Sequence, residues 1–435
     1  MVSKRRGTIT LLCVVVLLII SATTITMYHL SSMLSVHLLL DDDMSLPTNV
    51  NHKIRSSRRY FPRIINIDGG KHLQSYTIGR GIRIDRHTLR AWKHIEDDKN
   101  YATDEQEETS SECMPMSSWY NYSYPNCNIL HELDIPFNAY MDKYYYIASG
   151  GSNDVFRMKG VDNIKTDLVL KLLSPKKKHQ VGLPSSGDYN EHNYHVVRKD
   201  AVISERLTNS QYVLPIHGYC GFAVIVPYAN GGTLAAALAT HRSQENTGWK
   251  NMSSTSRLKY ARDAAKGLAD AHDVGVVHAD LTTKQYLVQN GTLQLGDFNQ
   301  GILLQKNTSA LDKNQTCTFK MTKNYGTTRA PEEYKHEPQT SAVDVWSLGS
   351  IIYHLLTGKK VWSEYSKNKA QESVIMGKLP KISKSIQNST DPVDILLKKA
   401  MDMCYIYEPS QRATARKVAT FLDNGWKEFG REKTS

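Results

Sequence analysis

Three side chains that can orient a hydroxyl group or hold a metal ion lie close together in the second half of the chain. Asp280 follows the run VVHA, the amide Gln285 comes five residues later, and Asp297 follows the run LQLG. Between them, Asn290-Gly291 is typical of a two-residue hairpin turn. One carboxylate can orient a hydroxyl, while an amide and a second carboxylate can hold a metal ion that bridges nucleotide phosphates. The pattern therefore predicts phosphoryl-transfer chemistry with a magnesium nucleotide.

The elements that must position these side chains are a strand-rich segment and a later helical one. YYYIASGG, DVFRMKG and DLVLKLL predict three short strands, HVVRKDAVISERL a helix, and YVLPIHGY and FAVIVPY two more strands. Further on, TSRLKYARDAAKGLADAHDVG and VDVWSLGSIIYHLLTG carry apolar residues at helical spacing and end at Gly275 and Gly358. We therefore expect a small antiparallel β lobe followed by a helical lobe.

These motifs, in this order, resemble those of the eukaryotic protein kinases. HADLTTKQ, residues 278–285, is similar to the catalytic loop H-R-D-L-x-x-x-N, and the DFN that begins at Asp297 is similar to D-F-G. Glu332 ends an A-P-E element, Arg412 stands where its buried partner is expected, and Asp344 stands where the family braces the catalytic loop. The resemblance implies an α+β, two-lobed protein-kinase-like fold over residues 139–429, with lobes of about 139–229 and 230–429.

The resemblance also implies roles for individual residues. Asp280 would orient the acceptor hydroxyl, Lys171 at the end of DLVLK would bind phosphates, and Gln285 and Asp297 would hold Mg²⁺ or Mn²⁺. Lys284 is a candidate contact for the γ-phosphate. The ATP-binding set implied by the resemblance is Ala148, Gly150, Asn153, Val155, Lys171, Asp200, Glu205, Lys284 and Leu287.

Several departures from the family pattern leave alternatives open. The acidic partner of Lys171 is either Asp200, which has the expected spacing, or Glu205, which has the expected residue type. Ala279 replaces the catalytic-loop arginine that many kinases use to sense phosphorylation, and Asn299 replaces the glycine of D-F-G. The leading interpretation is an ATP-dependent kinase that phosphorylates a protein or glycan hydroxyl. The alternative is a pseudokinase scaffold that binds nucleotide or partners without turnover.

The N-terminal leader predicts entry into the secretory pathway. Residues 9–27 are almost wholly apolar and follow Lys4, Arg5 and Arg6, so the positive-inside rule predicts a cytoplasmic tail over residues 1–8. A signal anchor of a type II membrane protein is expected, with a cleaved signal peptide as the alternative. Residues 28–138 would form a stem, and the kinase-like domain would face the Golgi or ER lumen or the cell exterior.

Sequons and cysteines are compatible with that placement. Six N-x-Ser/Thr triplets and five cysteines beyond the apolar segment occur in the chain. Cys113 and Cys127 are one candidate disulfide pair, but the pairing does not follow from the sequence. The net charge of +11 favours anionic partners, although a basic surface is also a common solubility feature. No nucleic-acid-binding motif is present, and the expected partners are ATP, a protein or glycan acceptor, and a membrane.

Overall fold

The computed structural model describes most of the chain beyond residue 112. The described residues are 75–78, 82–85, 113–122, 127–133, 144–149, 153–160, 166–173, 191–239, 252–309, 315–321 and 326–430. Among these residues, no helix combines the length and the apolar character needed to cross a bilayer. The predicted tail, the predicted anchor over residues 9–27 and the candidate loop glycine Gly150 lie outside the described residues.

Short elements precede the main domain. Strands β1 (Ser75–Ile78) and β2 (Ile82–Asp85) form an antiparallel hairpin. They are followed by strand β3 (Cys113–Pro115) and by two short helices, α1 (Trp119–Tyr122) and α2 (Asn128–Glu132).

The smaller lobe is a five-stranded antiparallel sheet covered by one helix, as the sequence predicts. In the sheet order, its strands are β4 (Tyr144–Ser149), β5 (Asn153–Met158), β6 (Leu168–Leu173), β8 (Ala223–Pro227) and β7 (Gly218–Cys220). Helix α3 (Glu191–Arg206) packs on one face of this sheet, where Val197 and Ala201 join a cluster with Val169 and Val224.

The fourth predicted strand is much shorter than expected. The pattern YVLPIHGY predicted a strand from residue 212 to residue 219, but β7 begins only at Gly218. Pro215 lies inside that pattern, and a proline cannot donate a backbone hydrogen bond to a neighbouring strand. The residues before β7 are instead held by isolated backbone hydrogen bonds: the Leu214 N–H donates to the Leu295 carbonyl, and the Leu295 N–H donates to the Tyr212 carbonyl, each at 2.8 Å.

The larger lobe is mainly helical and begins with elements that carry the candidate site. In chain order they are α4 (Leu234–Leu238), α5 (Ser254–Asp273), β9 (Val276–Val277), β10 (Tyr286–Gln289), β11 (Thr292–Leu295), the 3₁₀ turn Phe298–Gln300, β12 (Ile302–Leu303) and β13 (Gln305–Asn307). The remaining helices are α6 (Pro331–Tyr334), α7 (Ala342–Thr357), α8 (Lys367–Ile375), α9 (Lys384–Gln387), α10 (Pro392–Cys404) and α11 (Ala415–Phe429).

Helix α7 is the central element of the larger lobe. Its residues from Val343 to Leu356 are buried, and Trp346 is among the largest fully buried side chains. The helix ends at Gly358, which has a φ of 69° and is therefore suited to the left-handed C-terminal position. Such a helix is rigid because it is packed on all sides, which makes it a suitable support for the loops above it.

A buried ion pair fixes the end of the activation segment to this lobe. The guanidinium of Arg412 donates to both carboxylate oxygens of Glu332, at 2.7 and 3.2 Å, and both side chains are buried. The same guanidinium donates to the carbonyls of Ala342 and Ile406, each at 2.8 Å. This is the arrangement that the sequence predicts for the two residues.

Two disulfides correct the expectations for the stem. Cys113 bonds to Cys317, and Cys127 bonds to Cys220, so the candidate pair Cys113–Cys127 is wrong. Both bridges connect residues of the predicted stem with the kinase-like domain, across 204 and 93 residues. The second half of the predicted stem is therefore attached covalently to the domain. The fifth cysteine, Cys404, is a buried free thiol.

Candidate active site

Asp280 lies in a loop that a buried carboxylate holds in place. The Asp344 carboxylate on α7 accepts the backbone N–H groups of His278 (2.6 Å) and Ala279 (2.9 Å). The His272 ring lies 3.0 Å from the same carboxylate. Burial alone would raise the pKa of Asp344, but the hydrogen bond from His272 and the nearby His278 outweigh burial, so the pKa is lowered. The loop is therefore attached to a buried anion.

Each oxygen of the Asp280 carboxylate has a hydrogen-bond donor. The Arg329 guanidinium donates to Oδ1 at 2.6 Å, and the Gln285 amide donates to Oδ2 at 3.3 Å. The amide oxygen of Gln285 in turn accepts the Thr282 hydroxyl at 2.8 Å. Because both oxygens are held, the orientation of the carboxylate is set before an acceptor arrives, as efficient positioning requires.

Arg329 is the functional residue that sequence reasoning missed. It precedes the A-P-E element, and its side chain is only 10% exposed. Besides contacting Asp280, it donates to the Ala279 carbonyl and lies 3.4 Å from the Glu333 carboxylate. A positive charge thus stands beside the catalytic loop although Ala279 has replaced the arginine of the loop itself. The sequence signal that could have identified Arg329 is an arginine directly before the A-P-E element in a chain whose catalytic loop has Ala279 in place of its arginine.

Lys171 lies partly exposed beside the buried carboxylate of Asp200 and near that of Asp297. Its ammonium is 3.8 Å from Asp200, whose other oxygen accepts the Phe298 N–H at 2.6 Å. Burial alone would lower the pKa of Lys171, but Asp200 and Asp297 outweigh burial, so the pKa is raised and the amine stays charged. The structure therefore resolves the choice left open by the sequence: Asp200 pairs with Lys171, whereas Glu205 is exposed one turn further along α3.

Two apolar residues of the candidate nucleotide-binding set come from different lobes. Val155 on β5 and Leu287 on β10 pack against the same hydrophobic cluster. Val155 also pairs in register with Ala148 on one side and with Lys171 on the other. Near Lys171, Asn153 lines a cavity between the sheet and α3. The structure thus places Val155 and Leu287 in one hydrophobic cluster, and Asn153 and Lys171 on one cavity.

The donor set suits a hard divalent cation held partly by phosphates. Asp297 and Gln285 offer a carboxylate and an amide oxygen, the ligand types that Mg²⁺ prefers. Within the described residues, no group of three His, Cys, Asp or Glu residues forms a cation site independent of a nucleotide. The backbone of Asp297 is in the left-handed region, with a φ of 67°. Lys284, the candidate γ-phosphate contact, is exposed on the catalytic loop. The residues present therefore fit a nucleotide-bound metal.

The chain belongs to the protein kinase family. The family model described as "Protein kinase domain" matches residues 201–421, which include the end of α3, the catalytic loop, the A-P-E element and Arg412, but neither Lys171 nor Asp200. Membership agrees with the two-lobed architecture of the described residues.

Curated relatives are protein kinases that are much longer than the matched segments. The chain is 39% identical over 106 residues to the serine/threonine-protein kinase/endoribonuclease IRE1b of Arabidopsis thaliana, covering 24% of this chain and 12% of that protein. It is 30% identical over 166 residues to mitogen-activated protein kinase kinase kinase 4 of Homo sapiens, covering 37% and 10%. It is 26% identical over 203 residues to the RGS domain-containing serine/threonine-protein kinase A of Dictyostelium discoideum, covering 46% and 16%. The matches thus span a sixth or less of each relative.

Proposed function

We propose that this chain is a membrane-anchored kinase of the secretory pathway that transfers phosphate from magnesium-ATP to serine or threonine hydroxyls of proteins. The observation that carries the proposal is the cluster of Lys171, Asp200 and Asp297, in which Asp200 is buried and the lysine stays charged. Removing an ammonium from water is costly unless carboxylates compensate for it, and this compensated ammonium lines the cavity between the sheet and α3.

Each residue of the site has a distinct role in the proposed reaction. Lys171, oriented by Asp200, binds the nucleotide phosphates, and Asp297 holds the metal together with Gln285. When bound, magnesium-ATP supplies the phosphoryl group. Asp280 accepts a hydrogen bond from the acceptor hydroxyl and orients its oxygen for in-line attack. Arg329 and Gln285 keep that carboxylate in position, so the rate depends mainly on positioning and electrostatics.

The choice of acceptor rests on the relatives. The printed names of two of them identify serine/threonine-protein kinases, while the catalytic loop here matches neither the serine/threonine-type nor the tyrosine-type pattern. A glycan hydroxyl is the other acceptor class compatible with a luminal kinase. Parallel incubation with a serine/threonine peptide library, a tyrosine peptide library and free glycans distinguishes the three classes, because only one should incorporate phosphate.

The test uses the full chain expressed in a secretory host, so that both disulfides form. Phosphate incorporation from ATP is compared for the wild type, Asp280→Asn and Asp297→Asn, with Asp273→Asn as the matched control at an exposed position. The first two variants should lose at least about a hundredfold in rate, the lower range for removing a positioned acid–base group, and the control should keep its rate. Equal rates in all four proteins would refute the assignment of the site.

One observation favours a pseudokinase scaffold as the second candidate. The amide of Gln285 is engaged at both ends, because its oxygen accepts the Thr282 hydroxyl and its nitrogen donates to Asp280, so only one lone pair of the oxygen is left for a metal. A scaffold that retains nucleotide binding would show a rise in melting temperature with magnesium-ATP but no phosphate transfer to any acceptor. Transfer that depends on Asp280 would exclude it.

The luminal placement is supported by the disulfides Cys113–Cys317 and Cys127–Cys220, because such bonds persist in oxidising compartments. The predicted anchor over residues 9–27 supplies the membrane attachment. In intact microsomes, protease should leave the kinase domain uncut, and endoglycosidase should shift its mobility after detergent treatment. Complete digestion without detergent would contradict this topology.

A further inference from the structure

Residues 113–122 and 127–133, called the strap here, cross three functional parts of the kinase domain. We propose that the strap is a built-in positioning element that holds the Asp200 helix and the activation segment in their working arrangement. This inference rests on the proposed kinase function, and it assigns to the strap the task that phosphorylation of the activation segment has in many kinases.

The first contact of the strap is with the activation segment. Strand β3 pairs antiparallel with β13, with Cys113 opposite Asn307 and Pro115 opposite Gln305. The Cys317 N–H donates to the Gln305 carbonyl at 2.8 Å, and the Cys113–Cys317 disulfide closes the arrangement covalently. The segment that follows the metal-binding Asp297 is therefore held between the strap and its own downstream residues.

The second contact is at the base of the catalytic loop. The Met116 N–H donates to the Leu304 carbonyl at 3.3 Å, and the Leu304 N–H donates to the Gly275 carbonyl at 2.8 Å. A Cβ at Gly275 would lie only 3.3 Å from the Met116 sulfur, so the strap lies directly on the backbone that leads into β9. The strap thus contacts the strands on both sides of the candidate site.

The third contact is with α3, the helix that carries Asp200. The Arg198 guanidinium donates to the Tyr120 carbonyl at 3.1 Å and lies 4.8 Å from the centre of the Tyr120 ring. Residues two positions apart point about 200° apart around a helix, so Arg198 faces the strap while Asp200 faces Lys171. The strap therefore holds the outer side of the helix whose inner side completes the lysine cluster.

The far end of the strap is fixed to the smaller lobe. Cys127 bonds to Cys220 at the end of β7, and Leu133 is buried in the cluster that contains Met158 and Ile225. Because both ends are covalently attached, the strap cannot leave α3 without breaking a disulfide or unfolding. This covalent attachment explains how α3 and the activation segment keep their positions although Ala279 has replaced the arginine that many kinases use to sense phosphorylation.

The helix contact is tested first with full-length variants of Arg198. Arg198→Met should raise the KM for ATP and lower kcat/KM about tenfold to a hundredfold, the loss expected for one charged hydrogen bond. Arg198→Lys should restore part of it, because a positive donor remains. His192→Met is the matched control on the same helix, since His192 is exposed at the start of α3 and should change little. Equal effects of the two methionine variants would overturn the proposal.

The disulfide is tested with Cys113→Ala, Cys317→Ala and the double variant, read by hydrogen exchange as well as by activity. Protection should fall in residues 191–206 and 302–309 but not in the buried helix α7, which reports intact folding. The double variant should match each single variant, because all three lack the same bond. Unchanged hydrogen-exchange protection of α3 in the variants would refute the proposal, whether or not the protein transfers phosphate. If the variants lose protection in α3 but the wild type transfers no phosphate, the result counts against the kinase function alone.

Discussion

Replacing Asp200 by asparagine separates the charge of this side chain from its shape. The substitution removes the carboxylate that lies 3.8 Å from the Lys171 ammonium but keeps an oxygen that can accept the Phe298 N–H. The local backbone arrangement should therefore survive, while the lysine loses its nearest counter-charge. Because Asp297 is the other carboxylate that acts on Lys171, the lysine ammonium will then be drawn toward Asp297, away from the position in which it binds phosphates.

The separation of the charges sets the size of the expected effect. Two unit charges 3.8 Å apart interact by about 4 kcal/mol at an effective dielectric constant of about 20. Because about 1.4 kcal/mol corresponds to a tenfold change in rate, the upper limit on the loss in kcat/KM for ATP is about a thousandfold. The retained hydrogen bond and the remaining attraction of Asp297 reduce this, so we expect a loss of about a hundredfold.

Steady-state kinetics with varied ATP provide the assay, and Glu205→Gln is the matched control. Glu205 has the residue type that the family uses at this site, but it is exposed on α3. Its neutralisation should leave kcat/KM within about twofold of the wild type, as for other exposed charges. The assignment of Asp200 as the lysine partner is refuted if Glu205→Gln is the more damaging variant, or if Asp200→Asn keeps the wild-type KM and kcat.

Three further substitutions test other parts of the molecule. Arg329→Gln should lower kcat about tenfold or more with little change in the KM for ATP, because it frees one oxygen of Asp280, and Arg329→Lys should recover part of the rate; a change in KM alone would contradict this role. Arg412→Met should destabilise the fold by about 3–5 kcal/mol in urea unfolding, because it leaves the buried Glu332 carboxylate uncompensated. Arg416→Met removes a half-exposed ion pair and should cost about 1 kcal/mol or less. Equal costs of the two substitutions would contradict the account. Burial lowers the pKa of His354 from 6.5 to about 4 in the folded protein. As pH falls from 6.5 to 4, this histidine is therefore protonated in the unfolded chain before it is protonated in the folded one, which favours unfolding. Stability should therefore decrease across that window by at most about 3 kcal/mol, and His354→Gln should flatten the decrease measured by urea unfolding at several pH values.

The elements near the catalytic loop are predictable because their signals are local. Asn290 and Gly291 have φ values of 50° and 75°, as the two-residue turn between β10 and β11 requires. The α7 pattern ending at Gly358 likewise depends on neighbours within a few residues. Where a signal was interrupted, as by Pro215 in the fourth strand, the expected element was too long.

The features that the sequence did not predict all depend on distant contacts. The partner of Lys171 was decided by the direction in which α3 faces the sheet, which spacing alone did not determine. Arg329 reaches Asp280 across 49 positions, and Cys113 reaches Cys317 across 204. A residue type such as arginine or cysteine carries no information about which distant group it will meet, so these contacts required the folded structure.

The most direct test of the central claim is a single-turnover measurement with the disulfide-intact full chain, magnesium-ATP and a serine/threonine peptide library. The kinase account predicts that ADP and phosphopeptide form in equal amounts, and that Asp280→Asn slows both at least about a hundredfold while leaving the nucleotide-induced rise in melting temperature intact. Phosphopeptide formation that is unaffected by Asp280→Asn, or nucleotide binding without any phosphopeptide or phosphoglycan in the wild type, would contradict it.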